Sequence, residues 1–205
     1  LHVEGALWSH AMTAELLAMA ECDGVICFVL WKRGIYAVGR DSKEIWRKEP
    51  LEWQELESIP RSLEVVSIIS TDDEFVVWSR GGGWVQISPS DGQIIKQGVV
   101  NLPNKLDMVF HHKDSGWLLI CGNEALLMKD LFQIHTNAVF RSPINHAAWD
   151  NEISSWRITG WRMDAVFGDS IGFSERSEIG VHSGFYRGDW YVLDNSGKWS
   201  KHMPI

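Results

Sequence analysis

The feature that most constrains this chain is an internal repeat. Leu16 to Arg40 reads LLAMAECDGVICFVLWKRGIYAVGR, and Glu64 to Ser88 reads EVVSIISTDDEFVVWSRGGGWVQIS. Both copies run apolar segment, acidic or Gly turn, apolar segment, basic-Gly turn, further segment; Trp31-Lys32-Arg33-Gly34 and Trp78-Ser79-Arg80-Gly81 match best. Asp107 to Lys129 (DMVFHHKDSGWLLICGNEALLMK) is a third copy, and Trp156 to Arg176 (WRITGWRMDAVFGDSIGFSER) a weaker fourth. A unit this short cannot bury its own apolar faces, so copies must stack on one another.

Anchoring each copy at the start of its third segment gives Ile35, Trp84, Ala125 and Ile171, with spacings of 49, 41 and 46 residues. A period of roughly 40–50 residues belongs to propeller blades rather than to solenoid repeats. Short apolar runs parted by Asp23-Gly24, Asp91-Gly92, Ser115-Gly116 and Ser196-Gly197 are strands joined by turns, because Gly supplies positive φ without steric cost. The expected fold class is therefore all-β: a β-propeller of about four antiparallel blades, with five blades or part of a larger ring left open. The repeats fall at 11–62, 63–104, 105–145 and 146–205 of a single domain over 1–205. Lys43 to Leu56 and Gln93 to Val100 supply outer strands. Glu178 to Lys201 has room for two more, at Gly180 to Tyr186 and Asp189 to Asp194. Val3 to Trp8, within residues 1–10, is a candidate closing strand that would remove an exposed edge. Met12 to Ala20 has helix-forming composition behind Thr13, yet it overlaps the first strand of its repeat, and strand is favoured because the other copies read extended there.

Composition excludes several classes. The chain has 205 residues, 45% hydrophobic and 22% charged, as in an ordinary globular protein. The longest apolar run, Val25 to Trp31, is far short of the roughly 20 residues of a spanning helix, so no membrane span is expected. A net charge of −8 argues against a nucleic-acid partner, which calls for a basic footprint. Cys22, Cys27 and Cys121 follow no disulfide framework, which suits a reducing, cytoplasmic setting. Leu1 to His10 lack the pattern of an intact signal peptide, and a start without Met is expected of a processed chain or a piece of a larger one. Twelve Trp outnumber the eight Phe and three Tyr together, as suits half-buried pleated surfaces.

Three partial family likenesses point the same way. Glu52 to Ser62 (EWQELESIPRS) resembles the end of a kelch repeat, Ile35 to Gly39 the kelch strand before it, and Lys198 to Pro204 the same ending, although the kelch double glycine is missing at Gly39-Arg40. Gly34 to Trp46 (GIYAVGRDSKEIW) is similar to the quinoprotein repeat, and Gly184 to Val192 (GFYRGDWYV) resembles the hemopexin type. Together they imply a propeller without selecting one family.

No catalytic, cofactor or metal site is expected. His111 and His112 would point to opposite faces of one strand, and with His135 and His146 they form no zinc spacing. Gly81-Gly82-Gly83 lacks the Lys-Ser/Thr of a phosphate loop and reads as a hairpin turn, and no Gly-x-Ser-x-Gly elbow occurs. Asp194 to Trp199 resembles a sialidase-type Asp-box but is one residue out of register. The expected partner-binding residues are Arg33 and Arg80, placed in the same turn of two repeats, with Tyr36 and Trp84 beside them; repeated Arg next to an aromatic suits a carboxylate-bearing ligand or the acidic strand of a protein partner. The function expected is a non-catalytic protein-interaction or scaffold module within a larger assembly. The alternative is a small-ligand or glycan-binding, lectin-like propeller.

Overall fold

The computed structural model describes residues 4–202, and the chain divides into two compact units, Leu1–Val109 and Phe110–Ile205. The first unit holds two four-stranded antiparallel meanders. One runs β1 (Leu16–Cys22), β2 (Val25–Leu30), β3 (Gly34–Gly39) and β4 (Glu44–Lys48). The other runs β5 (Val65–Ser70), β6 (Phe75–Ser79), β7 (Gly83–Ile87) and β8 (Ile94–Val99). The unit boundary falls within β9 (Met108–His112), which starts a third meander continued by β10 (Gly116–Cys121), β11 (Glu124–Met128) and β12 (Thr136–Val139). The fourth sheet is β13 (Ile144–Asp150), β14 (Ser155–Gly160), β15 (Met163–Phe167) and β16 (Ile171–Glu175). A three-stranded sheet, β17 (Gly180–Tyr186), β18 (Asp189–Asp194) and β19 (Trp199–Lys201), follows it.

Alternation along β2 and β3 shows why these residues form strands. Cys27, Val29, Ile35 and Ala37 point to one face and pack with Trp46 against Ile68, Phe75, Val77, Val85 and Ile87 of the second sheet. Phe28, Leu30 and Val38 point to the other face, where Trp8 and Ala14 pack on them. Phe28 lies directly opposite Tyr36 in the ladder, and their rings stack with centroids 5.5 Å apart. Each such side chain contributes roughly 1.5–3 kcal/mol when fully buried. Leu16–Cys22 is strand rather than helix, because β2 pairs with it from Cys22↔Val25 to Leu16↔Leu30. Val3 lies outside the described residues, and Glu4 to Trp8 form turn and irregular backbone.

Two expectations need correction. Ile171 opens the fourth strand of its sheet, β16, and not the third. The residue matching Ile35, Trp84 and Ala125 is Asp164, paired with Thr159, so the spacings become 49, 41 and 39 residues. A carboxylate at a core position disguised that strand. Asp164 is fully buried, accepts from Thr159 Oγ1 at 3.0 Å, and pairs with Arg176 Nη1 at 2.5 Å. The segment 146–205, expected as one repeat, supplies most of the fourth sheet and all of the fifth.

A second ionic group, Asp150 with Arg157 at 2.6 Å, lies beside His202, whose Nδ1 is 3.2 Å from Arg157 Nη1. Together with Asn145 Nδ2 donating to the Gly180 carbonyl at 2.7 Å, it ties the fifth sheet to the fourth. Among the described residues, no helix is long and apolar enough to cross a membrane.

Candidate functional site

The expected binding residues do not gather into one patch. Matching backbone bonds align the two turns: Trp31 N–H donates to Glu15 O and Arg80 N–H to Glu64 O, both at 2.8 Å, while Arg33 N–H donates to Leu30 O and Gly82 N–H to Ser79 O, both at 3.0 Å. Arg80 therefore corresponds to Trp31, and Arg33 to Gly82. The sequence match of Trp31 to Trp78 is two residues out of register, because Trp78 sits in the ladder opposite Trp84 where the first sheet has Val29 opposite Ile35.

Arg33 is exposed in the β2–β3 turn. Tyr36 is half-buried against Phe28, and its hydroxyl donates to the Arg33 carbonyl at 3.2 Å. Arg80 is held by Glu64 at 3.2 Å and Asp107 at 3.6 Å. Burial pushes the Glu64 carboxyl up, but Arg61 and Arg80 outweigh it and bring its pKa below the ordinary value. Trp84 is 2% exposed and belongs to the core, with its carbonyl accepting from Trp53 Nε1 at 3.3 Å. It offers no surface to a partner.

What the first unit does offer is a cleft of about 770 Å³ between its two sheets. Val29, Ile35, Leu63 and Val65 give it an apolar lining; Trp31 and Lys32 come from the β2–β3 turn, and Pro50, Leu51 and Glu52 from the connection that follows β4. That connection, residues 49–64, is long because it is pinned at Trp53 rather than stretched straight to β5. Trp53 is buried over Gly83, where a Cβ would stand 2.6 Å from the indole. This pinned stretch is the segment with the kelch-like ending. Trp31 remains 48% exposed at the rim, with Lys32 Nζ 4.5 Å from its ring centroid. The sequence signal was present in the Trp-Lys turn and the long polar connection, but only the sheet packing brings them together.

The second unit has a smaller cleft, about 350 Å³, between the third and fourth sheets and at the opposite end of the strands. Its lining mixes polar Asp114, Lys129, His135, Thr136 and Asp169 with apolar Leu127 and Met128, and Trp149 is the aromatic wall. Four other histidines are packed on rings: His111 on Trp117 at 4.3 Å, His112 on Trp149 at 5.2 Å, and His146 and His182 on each other at 3.9 Å. Burial first, and then the neighbouring His182, lowers the His146 pKa from 6.5 to about 4. Among the described residues, no group of three His, Cys, Asp or Glu side chains is arranged to hold a metal ion. Cys22, Cys27 and Cys121 are buried, and burial pushes the Cys27 thiol up to about 12, which keeps it protonated and unreactive.

No family model matches the chain, and no curated protein matches it. Solved structures do. The C-terminal WD40 domain of Sif2 superposes with a TM-score of 0.67 at 8% identity, over 93% of this chain and 55% of that one. The fold is a β-propeller. A protein of unknown function from Bacteroides caccae is also similar, with a TM-score of 0.60 at 10% identity, over 92% of this chain and 74% of that one. The chain thus spans about half the length of the WD40 domain it matches. Each four-stranded meander is a propeller blade, and both clefts lie between consecutive blades. The kelch, quinoprotein and hemopexin likenesses have no family model behind them.

Proposed function

We propose that this propeller is a non-catalytic interaction module whose first-unit cleft receives a segment of a protein partner. The observation that carries the reading is the half-exposed Trp31 at the mouth of an apolar interblade cleft. Trp is enriched at binding hot spots, and a rigid blade framework holds its turns ready without an ordering cost. Glu15 and Glu52 line the same cleft against Lys32, which is held over the Trp31 ring; Glu64 there is already neutralised by Arg61 and Arg80, and the chain carries −8 overall. Charge complementarity therefore favours a segment with a bulky apolar anchor beside basic residues, rather than the acidic segment that repeated arginines would select. Arg33, exposed one residue beyond Lys32, offers donors to the backbone carbonyls of the segment at the rim; Tyr36 supports its turn through the hydroxyl bond. The buried thiols suit a reducing compartment, and we place the protein in the cytoplasm.

Selection of a random displayed-peptide library on the immobilised chain tests this. Peptides with an aromatic or aliphatic residue next to Lys or Arg should be enriched. Trp31→Ala and Glu52→Lys, both at exposed residues of the cleft, should each weaken the selected peptides at least tenfold while leaving the thermal transition in place. Equal binding to wild type and both variants would sink the proposal.

A further inference from the structure

The second unit's cleft lies at a register position where the two units differ. In the first unit, Trp46 pairs with Ala37 on β3, fills the junction with the next blade, and donates its indole N–H to the Pro89 carbonyl at 2.7 Å. Aligning Ile35 with Ala125 carries Ala37 to Leu127 and Trp46 to Thr136, since Thr136 pairs with Leu127. Thr136 is too short to reach the β15–β16 turn, and the space a Trp would occupy is the cleft that Thr136, Gly168 and Asp169 line.

The walls are fixed in advance. Buried Trp156 Nε1, on the fourth sheet, donates to Ser115 Oγ in the β9–β10 turn at 2.7 Å, which leaves the Ser115 hydroxyl proton to donate. Trp149 stacks on His112, meets Trp156 edge-on at 5.6 Å, and gives its own N–H to Asn151 Oδ1 at 3.1 Å. Its indole nitrogen is thereby spent, and the ring lines the cleft as an apolar wall held in one orientation.

The polar lining mixes kinds. Asp114 and Asp169 are acceptors only, Lys129 is a donor only, and Ser115, Thr136 and His135 serve as either. An anion would meet the two carboxylates and a simple cation would meet Lys129. A neutral ring with several hydroxyls, each able to donate and accept, satisfies both kinds and lays its C–H face on Trp149. We propose that this cleft binds a neutral polyhydroxylated ligand of the size of one sugar ring. Clefts of this volume lie at the lower end of those that hold small molecules. This inference is independent of the peptide reading of the first unit, and either can fail alone.

Saturation-transfer NMR on the full chain, with the methyl glycosides of glucose, galactose, mannose and N-acetylglucosamine at millimolar concentration, provides the test. At least one should receive saturation. Thr136→Trp, which restores the residue type of the filled junction, should weaken it tenfold or more. Asp169→Asn, on an exposed turn where folding is not at stake, should weaken it severalfold. Absence of transfer to all four glycosides would overturn the proposal. So would binding unchanged in Asp169→Asn, or competition by inorganic phosphate.

Discussion

At one register position the first unit carries Trp46 and the second carries Thr136, and the two interblade junctions diverge from there. The Trp46 indole seals one end of the first junction against the β7–β8 turn. The opposite end stays open, because residues 49–64 loop away through Trp53 before entering β5. In the second unit the pattern is reversed. Residues 140–143 join β12 to β13 directly, with Phe140 N–H donating to Asn123 O at 2.8 Å and Asn123 Nδ2 donating to Phe140 O at 2.7 Å, so that end is crossed by a short, hydrogen-bonded linker. The end that Trp46 seals in the first unit is left open by Thr136. Blade junctions built on one plan thus acquire clefts of different chemistry through one side chain and one linker length.

The largest effect expected from breaking this comparison is at the third-strand core position, where the first unit places Ile35 and Trp84 and the second places Ala125 and then Asp164. Asp164→Ala leaves Arg176 buried without its partner and should cost roughly 3–5 kcal/mol in urea unfolding, whereas Asp164→Leu with Arg176→Met should recover most of that loss. A double variant as unstable as the single one would show that the ion pair does more than fill space.

Trp46→Thr makes the first junction resemble the second. Removing a side chain only 8% exposed should cost roughly 3 kcal/mol by thermal or denaturant unfolding, because the sheets cannot fully collapse onto the void. A loss below about 1 kcal/mol would mean that the blades close up and that Thr136 alone does not explain the second cleft.

His146 offers a pH test confined to the second unit. Its folded pKa of about 4 lies below the 6.5 of the unfolded chain, so the unfolded state takes up the proton first as pH falls. The neutral-pH stability is complete above 6.5, is lost as pH falls towards 4, and levels off below that. The loss should be on the order of 2 kcal/mol after solvent screening is allowed for. His146→Gln should flatten the slope of stability between those pH values. An unchanged slope would assign the acid sensitivity to other groups.

Gly92 gives the smallest effect and the sharpest coupling. At φ +72° a Cβ there would stand 2.7 Å from the Trp46 ring. Gly92→Ala should cost roughly 1–2 kcal/mol, of which only the backbone part remains when Trp46→Thr is also present. Additive losses in that double-mutant cycle would separate the turn from the indole.

Much of this was legible in the residues. The turns, the strand pairs Gly180–Tyr186 and Asp189–Asp194, and the blade period follow from local rules, since Gly turns and alternating apolar residues act within a few positions. The likeness of Trp31-Lys32-Arg33-Gly34 to Trp78-Ser79-Arg80-Gly81 misled, because identity of letters carries no information on ladder register. Neither Trp84 nor Asp164 showed its place, since a Trp reads the same in a core as at a rim and an acid reads as surface.

The sequence by itself determined an all-β chain of repeated meanders, because strand periodicity and turn chemistry are written into neighbouring residues. Only the tertiary structure decided which faces remain open. Trp46 closes a junction through a carbonyl 43 residues away, and Ser115 braces a cleft through an indole 41 residues away. Contacts at that separation depend on how sheets stack, which no local pattern encodes.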